Sequence, residues 1–436
     1  MKTAWLLFFA SLILPMNALS QTAAEIAAIW DNNHISKIIP SDVRHKDLKA
    51  YLEQIRKLGV KVEQVGLSND RREIYQMEWG KGPLKVFMWS QMHGDEPTAT
   101  SALIDMFAYF QTHREEKWVQ EIEKSLTLRA VPMLNPDGAE AYKRHNLQDI
   151  DINRDALDLR TPEGQLLKRL RDDWNPVIGL NLHNQGALTT VGRTPKQAAI
   201  SLLVVYGDEA KTTSFGHERN QRVASAMTLA LQNFIPGHIG RYGDEWTPNA
   251  FGDNFSAWGT PVILIETGAL HGKDEMYLVK MNFVAFVTAL RSIVTGSEKT
   301  QSPEPYLTLP HNGSGGLVNF VFRRANIIDV KDRPVVADIA AATIRRRASF
   351  AAPSTIRALG NIGAVQGLDE YDAGGFQVVH RFSQMRTGQL AEFYFYRRDR
   401  VVDFTSSELE KAFPPDAIFS TGKWFKGEGV VPKISK

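Results

Sequence analysis

Residues 84–89, Leu-Lys-Val-Phe-Met-Trp, are almost continuously apolar, and after a short polar interval residues 98–110 carry apolar side chains at helical spacing. The alternation recurs. Apolar runs cover 125–134, 177–182, 200–206 and 261–265, with helical periodicity over 163–173, 217–234 and 273–294. A strand with one solvated face alternates polar and apolar residues; near-continuous runs predict strands buried on both faces. The pattern therefore predicts an α/β unit, a mostly parallel mixed sheet flanked by helices on both faces. Upstream, residues 48–58 read as a helix, and 60–65 and 73–77 as short strands. In such folds the site lies outside the carboxyl ends of the strands, so the residues closing each run are the ones to inspect.

The pattern changes at 295–316, where Ser, Pro, Gly, Asn and Thr cluster without periodicity, as in linkers. Beyond it, 317–322, 375–382 and 392–396 have strand character, and 338–347 and 406–411 read as helical. The predicted organisation is a leader over 1–20, a catalytic unit over 21–298, and a linker with a small strand-rich accessory domain over 299–436. In the leader, Lys2 precedes a short apolar core, and Ala18 and Ser20 place a cleavage point before Gln21. That core is shorter than the roughly 20 residues needed to span a bilayer. A secretory signal, with export to a periplasm or the outside medium, is the expectation. No later segment reads as a membrane helix, so no span is expected after signal cleavage.

Composition narrows the function classes. With 43% hydrophobic and 23% charged residues and a formal charge of +2, nothing points to nucleic acid or an anionic membrane as partner. The run Arg345-Arg346-Arg347 reads as a solvated helix face. The chain has no cysteine, which excludes disulfides and thiolate catalysis.

The candidate chemistry sits at the run ends. His93 and Glu96 lie on the turn after 84–89, where a tight backbone can aim an imidazole and a carboxylate at one point, as two zinc ligands require. His183 closes 177–182 and supplies a third ligand of the right type; His145, His217, His238 and His271 are second choices because none ends a predicted strand. Glu266 closes 261–265. A carboxylate there is costly to bury without a partner, and beside a metal-activated water it has the chemistry of a general base. Asn135-Pro136-Asp137-Gly138 alone is a turn signal. Arg144 and Arg154, near a metal, could grip a carboxylate or steady an oxyanion.

Taken together, His93-Gly94-Asp95-Glu96, Asn135-Pro136-Asp137-Gly138, Asp151-Ile152-Asn153-Arg154-Asp155, His183 and Ile265-Glu266-Thr267-Gly268 resemble, in order, the motifs of the zinc carboxypeptidase family, the metallocarboxypeptidases similar to carboxypeptidase A. The resemblance covers about 60–294. It implies one Zn2+ per chain held by His93, Glu96 and His183, with Glu266 as base. It further implies Arg144 polarising the scissile carbonyl, Asn153 and Arg154 binding the substrate's terminal carboxylate, and Tyr242 as the mobile-loop tyrosine. The floor of the specificity pocket falls near Gly252 to Asn254, where Gly252 would leave it open and an inward Asp253 would favour basic side chains. The implied activity is hydrolysis of the C-terminal bond of peptides with a free carboxylate. The alternatives are a cell-wall peptide hydrolase on the same site, a zinc N-acyl-amino-acid deacylase similar to aspartoacylase, or a non-enzymatic binding protein.

Overall fold

Side-chain parity along the central strands divides the interior in two. Val86 and Met88 pack into one apolar cluster, and Phe87 and Trp89 into another, because successive strand residues face opposite sides of a sheet. The computed structural model describes residues 21–314, 316–329, 333–382 and 384–435; the leader over 1–20 lies outside them.

The first unit contains helices α1 (Ala23–Asn33), α2 (His45–Leu58), α3 (Thr98–Thr112), α4 (Lys117–Ser125), α5 (Pro136–Ala141), α6 (Pro162–Trp174), α7 (Phe215–Gln232), α8 (Phe251–Ala257) and α9 (Glu275–Thr295). Its strands are β1 (Lys61–Leu67), β2 (Glu73–Gly80), β3 (Leu84–Ser90), β4 (Leu126–Val131), β5 (Ile178–Asn184), β6 (Thr190–Val191), β7 (Ile200–Val204), β8 (Ile239–Arg241) and β9 (Val262–Thr267). Eight of these strands form one sheet in the order β1-β2-β4-β3-β5-β9-β7-β8. The centre, β4-β3-β5-β9, is parallel throughout, and β1, β2 and β7 join it antiparallel. Helices α1 to α4, α7 and α9 bury one face; α6 and α8 bury the other through Leu166, Leu167, Phe251 and Phe255. The predicted α/β class is what the structure has.

Helix α9 is long and apolar enough to cross a membrane by length and composition, which corrects the expectation that no later segment has that character. It is mostly buried and packs on α1, α3 and α7, as a core helix does. The start of the unit is tied to α3 through Asp105. That buried carboxylate accepts hydrogen bonds from Trp30 Nε1 (2.9 Å), the Ile35 and Ser36 amides (2.9 and 2.8 Å) and Ser36 Oγ (2.7 Å). Asp105→Ala would strand these donors and is expected to cost about 3 kcal/mol or more in denaturant unfolding; a loss below 1 kcal/mol would mean water replaces the carboxylate.

Residues 295–314 are packed rather than extended. A short helix α10 (Glu304–Leu307) places Tyr306 in the first core, where its hydroxyl accepts from the Val204 amide at 2.9 Å. Strand β10 (Asn312–Gly313) then pairs with β6. The linker reading fails because Tyr306 and Leu309 supply buried apolar surface that the polar composition masks.

A second sheet follows, built from β11 (Leu317–Ile327), β12 (Val335–Thr343), β13 (Ser354–Gly360), β14 (Gln366–Asp372), β15 (Phe376–His380), β16 (Phe393–Arg397), β17 (Ala417–Ser420) and β18 (Lys423–Lys426). Its order is β13-β12-β11-β15-β16-β17-β18, with β14 paired to β11. Phe322, Phe393, Phe395 and Phe419, with Trp424 against them, fill its core. Two sequence expectations are corrected here. The alanine-rich stretch 338–347 belongs to β12 and the loop after it, because cross-strand pairing with β11 and β13 outweighs helix propensity. The helix at 406–411 is displaced to α11 (Leu409–Ala412).

Candidate metal centre

Strands β5 and β9 are parallel neighbours in which His183 and Glu266 are register partners. Partners on adjacent strands share a sheet face, so both side chains project on the face covered by α6 and α8, at the carboxyl ends of their strands. The turn after β3 brings His93 and Glu96 to the same place. Its backbone lies against the start of α5: a Cβ on Gly94 would sit 1.9 Å from the Gly138 carbonyl carbon, so only glycine fits. Asn135 caps α5, its Oδ1 accepting from the Gly138 amide at 2.8 Å. The Asn-Pro-Asp-Gly segment thus starts a helix, and Asp137 is fixed by Ser68 Oγ and Arg72 Nη1 at 2.8 and 2.6 Å.

Four ligand-type atoms converge. His93 Nδ1 lies 2.9 Å from Glu96 Oε1 and 3.1 Å from His183 Nδ1, and His183 Nδ1 lies 2.7 Å from Glu96 Oε2. All three residues are buried. Ligands of one tetrahedral zinc are about 3.3 Å apart, so this donor set, two imidazoles and a carboxylate, fits that ion. Behind it, His93 Nε2 meets Asp151 Oδ1 at 3.1 Å, the carboxylate–histidine arrangement that orients metal-binding imidazoles. Asp151 also accepts from Arg144 Nε and from the Asn153 amide, at 3.0 and 2.9 Å.

The electrostatics follow from burial and these contacts. Burial drives the His93 pKa down, but the carboxylates of Glu96 and Asp151 outweigh it, leaving it raised to about 9. Burial opposes the ionised forms of Glu96 and Asp151, yet the histidines beside both, and Arg144 beside Asp151, hold their carboxyls well below the usual range. Burial lowers His183. Glu266 behaves oppositely: burial, then the Glu96 charge, push its carboxyl well above the usual value. Its Oε2 is buried without a hydrogen-bond partner. A buried carboxylate left unsatisfied is costly in a resting protein.

Arg144 Nη1 approaches His93 Nδ1 and Glu96 Oε1 at 3.2 and 3.3 Å, with the guanidinium partly open to solvent. On the other side, Asn153 Oδ1 accepts from the Phe251 amide at 2.9 Å, joining the Asn153-Arg154 turn to α8. Arg154 is exposed and within electrostatic reach of Tyr242 and Asp253. Tyr242 follows β8, and the Glu266 charge, ahead of burial, pushes its phenol up to about 12. His145, His217, His238 and His271 do not join the cluster. His145 pairs with Asp149, His217 stacks on Tyr206, His238 bonds to the Gln197 carbonyl and His271 pairs with Asp369.

Sequence reasoning missed Asn181. It shares the face of His183, is 1% exposed, and neither side-chain polar atom has a partner. A Cβ on Gly252 would sit 3.0 Å from its Nδ2, so Gly252 leaves space above a polar floor. An asparagine inside an otherwise apolar run, two residues before a candidate ligand, was the available signal. Asp253 accepts from the Thr247 amide at 2.9 Å, and burial raises its carboxyl to about 6. An unfolded aspartate titrates near 3.9, so between about pH 4 and 6 the folded chain binds the extra proton and stability falls as pH rises. Asp253→Asn is expected to match the wild type below pH 4 and melt higher above pH 6. A wild type that melts higher above pH 6 would mean that the ionised form is favourably paired.

Residues 48–233 match the family model described as zinc carboxypeptidase. That span contains the three ligand-type residues, Arg144, Asn153 and Arg154, whereas Tyr242 and Glu266 lie beyond it. The probable carboxypeptidase 2 of Trichophyton verrucosum is 23% identical over 217 residues, covering 48% of this chain and 39% of the relative. Carboxypeptidase 2 of Trichophyton tonsurans is 24% identical over 216 residues, covering 48% and 37%. The chain therefore spans well under half the length of these relatives. Among solved structures, a metallo-carboxypeptidase from Burkholderia cenocepacia aligns at 12% identity with a TM-score of 0.47, covering 58% of this chain and 69% of that one. A Pseudomonas aeruginosa metallo-carboxypeptidase bound to (2-guanidinoethylmercapto)succinic acid aligns at 17% identity with the same TM-score and coverage. Residues 48–233 are thus similar to the zinc carboxypeptidase family, and the curated relatives that align with this chain are carboxypeptidases.

Proposed function

We propose that this protein is an exported zinc metallocarboxypeptidase that hydrolyses the C-terminal peptide bond of peptides bearing a free carboxylate. The observation that carries the reading is the convergence of His93, Glu96 and His183 beside Glu266, whose Oε2 is buried without a hydrogen-bond partner. Zinc held by those three side chains would act as a Lewis acid on water and on the scissile carbonyl. Glu266 takes the proton of the attacking water and returns it to the leaving amine. Arg144 donates to the carbonyl oxygen as negative charge develops there. Arg154 and the side-chain NH2 of Asn153, whose Oδ1 is tied to α8, hold the terminal carboxylate, and Tyr242 closes that end. The pocket between Asn181 and Gly252 receives the side chain of the released residue.

Chelator-sensitive release of the C-terminal residue from blocked dipeptides tests the reading, with cell-wall peptides and N-acyl amino acids as parallel substrates. Cleavage only of N-acyl amino acids would move the protein to the deacylases. Arg154→Ala is expected to raise KM about 10- to 100-fold on peptides with a free carboxylate, the scale of one charged hydrogen-bonded contact, while little altering kcat. An unchanged KM would remove Arg154 from that role. Export is tested by N-terminal sequencing of the mature protein, with Gln21 expected as its first residue.

A further inference from the structure

The run Arg345-Arg346-Arg347 is not a helix face. It lies on the loop joining β12 to β13, closed at its base by the Ile344 amide, which donates to the Pro353 carbonyl at 2.9 Å. Through this loop the second sheet docks on the first unit. The Ala348 amide donates to Ser41 Oγ at 3.1 Å, and the Ser349 amide and hydroxyl donate to Asp42 Oδ1 at 3.0 and 2.7 Å. Between them and the first unit, Arg347 is only 5% exposed. Its Nη1 donates to the Ser41 carbonyl at 3.1 Å, and its Nη2 to the carbonyls of Glu140, at 3.0 Å, and Ala139. The guanidinium carbon lies 5.1 Å from the centre of the Tyr142 ring.

The Ala139 and Glu140 carbonyls lie in the last turn of α5, where a helix runs out of amide donors and a cation complements the remaining C=O groups. A helix of six residues has little stability of its own. Its start is held separately, by the Asn135 cap. Past its end the chain turns through Tyr142, which is in the left-handed region at φ 52°. A side chain other than glycine stays there only where its surroundings hold it, and the Arg347 guanidinium lies over this ring. Two residues on is Arg144. Its carbonyl accepts from the Gly94 amide and from Asn135 Nδ2, both at 3.3 Å, and its Nε and Nη2 donate to Asp151 Oδ2 at 3.0 and 2.9 Å. The direction in which the chain leaves α5, and with it the root of the Arg144 side chain, is therefore set in part by Arg347.

We propose that Arg347, supplied by the second sheet, is a positioning residue: by capping α5 and covering Tyr142 it sets the turn from which Arg144 reaches the scissile carbonyl. The inference rests on the carboxypeptidase reading of Arg144. In the zinc-loaded protein, Arg347→Ala is expected to lower kcat about 10- to 100-fold, as a displacement of about 1 Å does, with KM and zinc content little changed. Arg347→Lys keeps the charge and the stem but not the planar fork. It should lose activity in the same direction, and it is the variant to measure if Arg347→Ala is not recovered folded. A purely structural role would give the same fold loss in any background. The deciding comparison is therefore made in Arg144→Ala, where Arg347→Ala should cost no more than about twofold further. Equal losses in both backgrounds, or kcat within about twofold of the wild type in both Arg347 variants, overturn the proposal. The Nε–H signal of Arg144 in protein carrying isotope-labelled arginine, identified by its loss in Arg144→Lys, reads the placement without turnover. Its hydrogen exchange should be at least about tenfold faster in Arg347→Ala, while that of Arg323, whose Nε donates to Glu370 Oε2 at 2.9 Å within the second sheet, stays as in the wild type. Faster exchange at Arg144 alone, in a protein that cleaves no peptide, would support the placement and refute the peptidase reading. Unchanged exchange at Arg144, or equal acceleration at Arg323, would refute the inference itself.

Discussion

Glu266→Gln is expected to lower kcat/KM about a hundred- to ten-thousandfold, the range contributed by a positioned general base, while zinc content stays at one per chain. Glutamine keeps the volume and a carbonyl oxygen but cannot accept a proton. The same substitution removes a carboxyl whose Oε2 is buried and unpartnered and whose ionised form is opposed by burial and by Glu96. The variant should therefore melt no lower than the wild type in the absence of metal. That pairing, activity gone with stability kept, separates a catalytic carboxylate from a structural one, because loss of a structural ion pair lowers both. Metal analysis, thermal melting and dipeptide hydrolysis on one preparation decide it. Activity within threefold of the wild type would take Glu266 out of the mechanism.

His183→Ala should abolish stoichiometric zinc binding and, with it, hydrolysis. His183 Nδ1 lies 2.7 Å from Glu96 Oε2 and also faces His93, so its loss would leave two of the three proposed ligands. Removing an outer-shell partner costs about 10- to 100-fold in metal affinity, which is the fall expected for Asp151→Asn; loss of a direct ligand must exceed it. The ordering is diagnostic. Stability gives an independent readout, since an ion at a thousand times its dissociation constant stabilises the fold by about 4 kcal/mol. Zinc should raise the melting temperature of the wild type strongly, that of Asp151→Asn less, and that of His183→Ala scarcely. Equal zinc-dependent shifts in all three would place the metal elsewhere.

The strand-end positions were legible because the chemistry sits where hydrophobic patterning stops. Apolar runs buried on both faces are unmistakable at 84–89, 177–182 and 261–265, and each is closed by a polar residue that burial alone does not explain. The two expectations of helix at 338–347 and linker at 295–316 failed for a common reason. Alanine-rich and polar text carries little periodic signal, and pairing with distant partners, β11 and β13 in one case and β6 in the other, decided the outcome.

The sequence by itself determined the α/β class of the first unit, the ligand-type residues His93, Glu96 and His183, and the candidate base Glu266, since local pattern and residue type suffice for these. Only the tertiary structure decided that His183 and Glu266 are register partners on one face, that Asp151 backs His93, that Asn181 lies unpaired beneath Gly252, and that the loop after β12 docks on the first unit through Arg347 and Ser349. These are non-local facts. Strand register, the close approach of one backbone to another and the docking of a second sheet arise from contacts between residues far apart in the chain, and no periodicity in a single sequence records them.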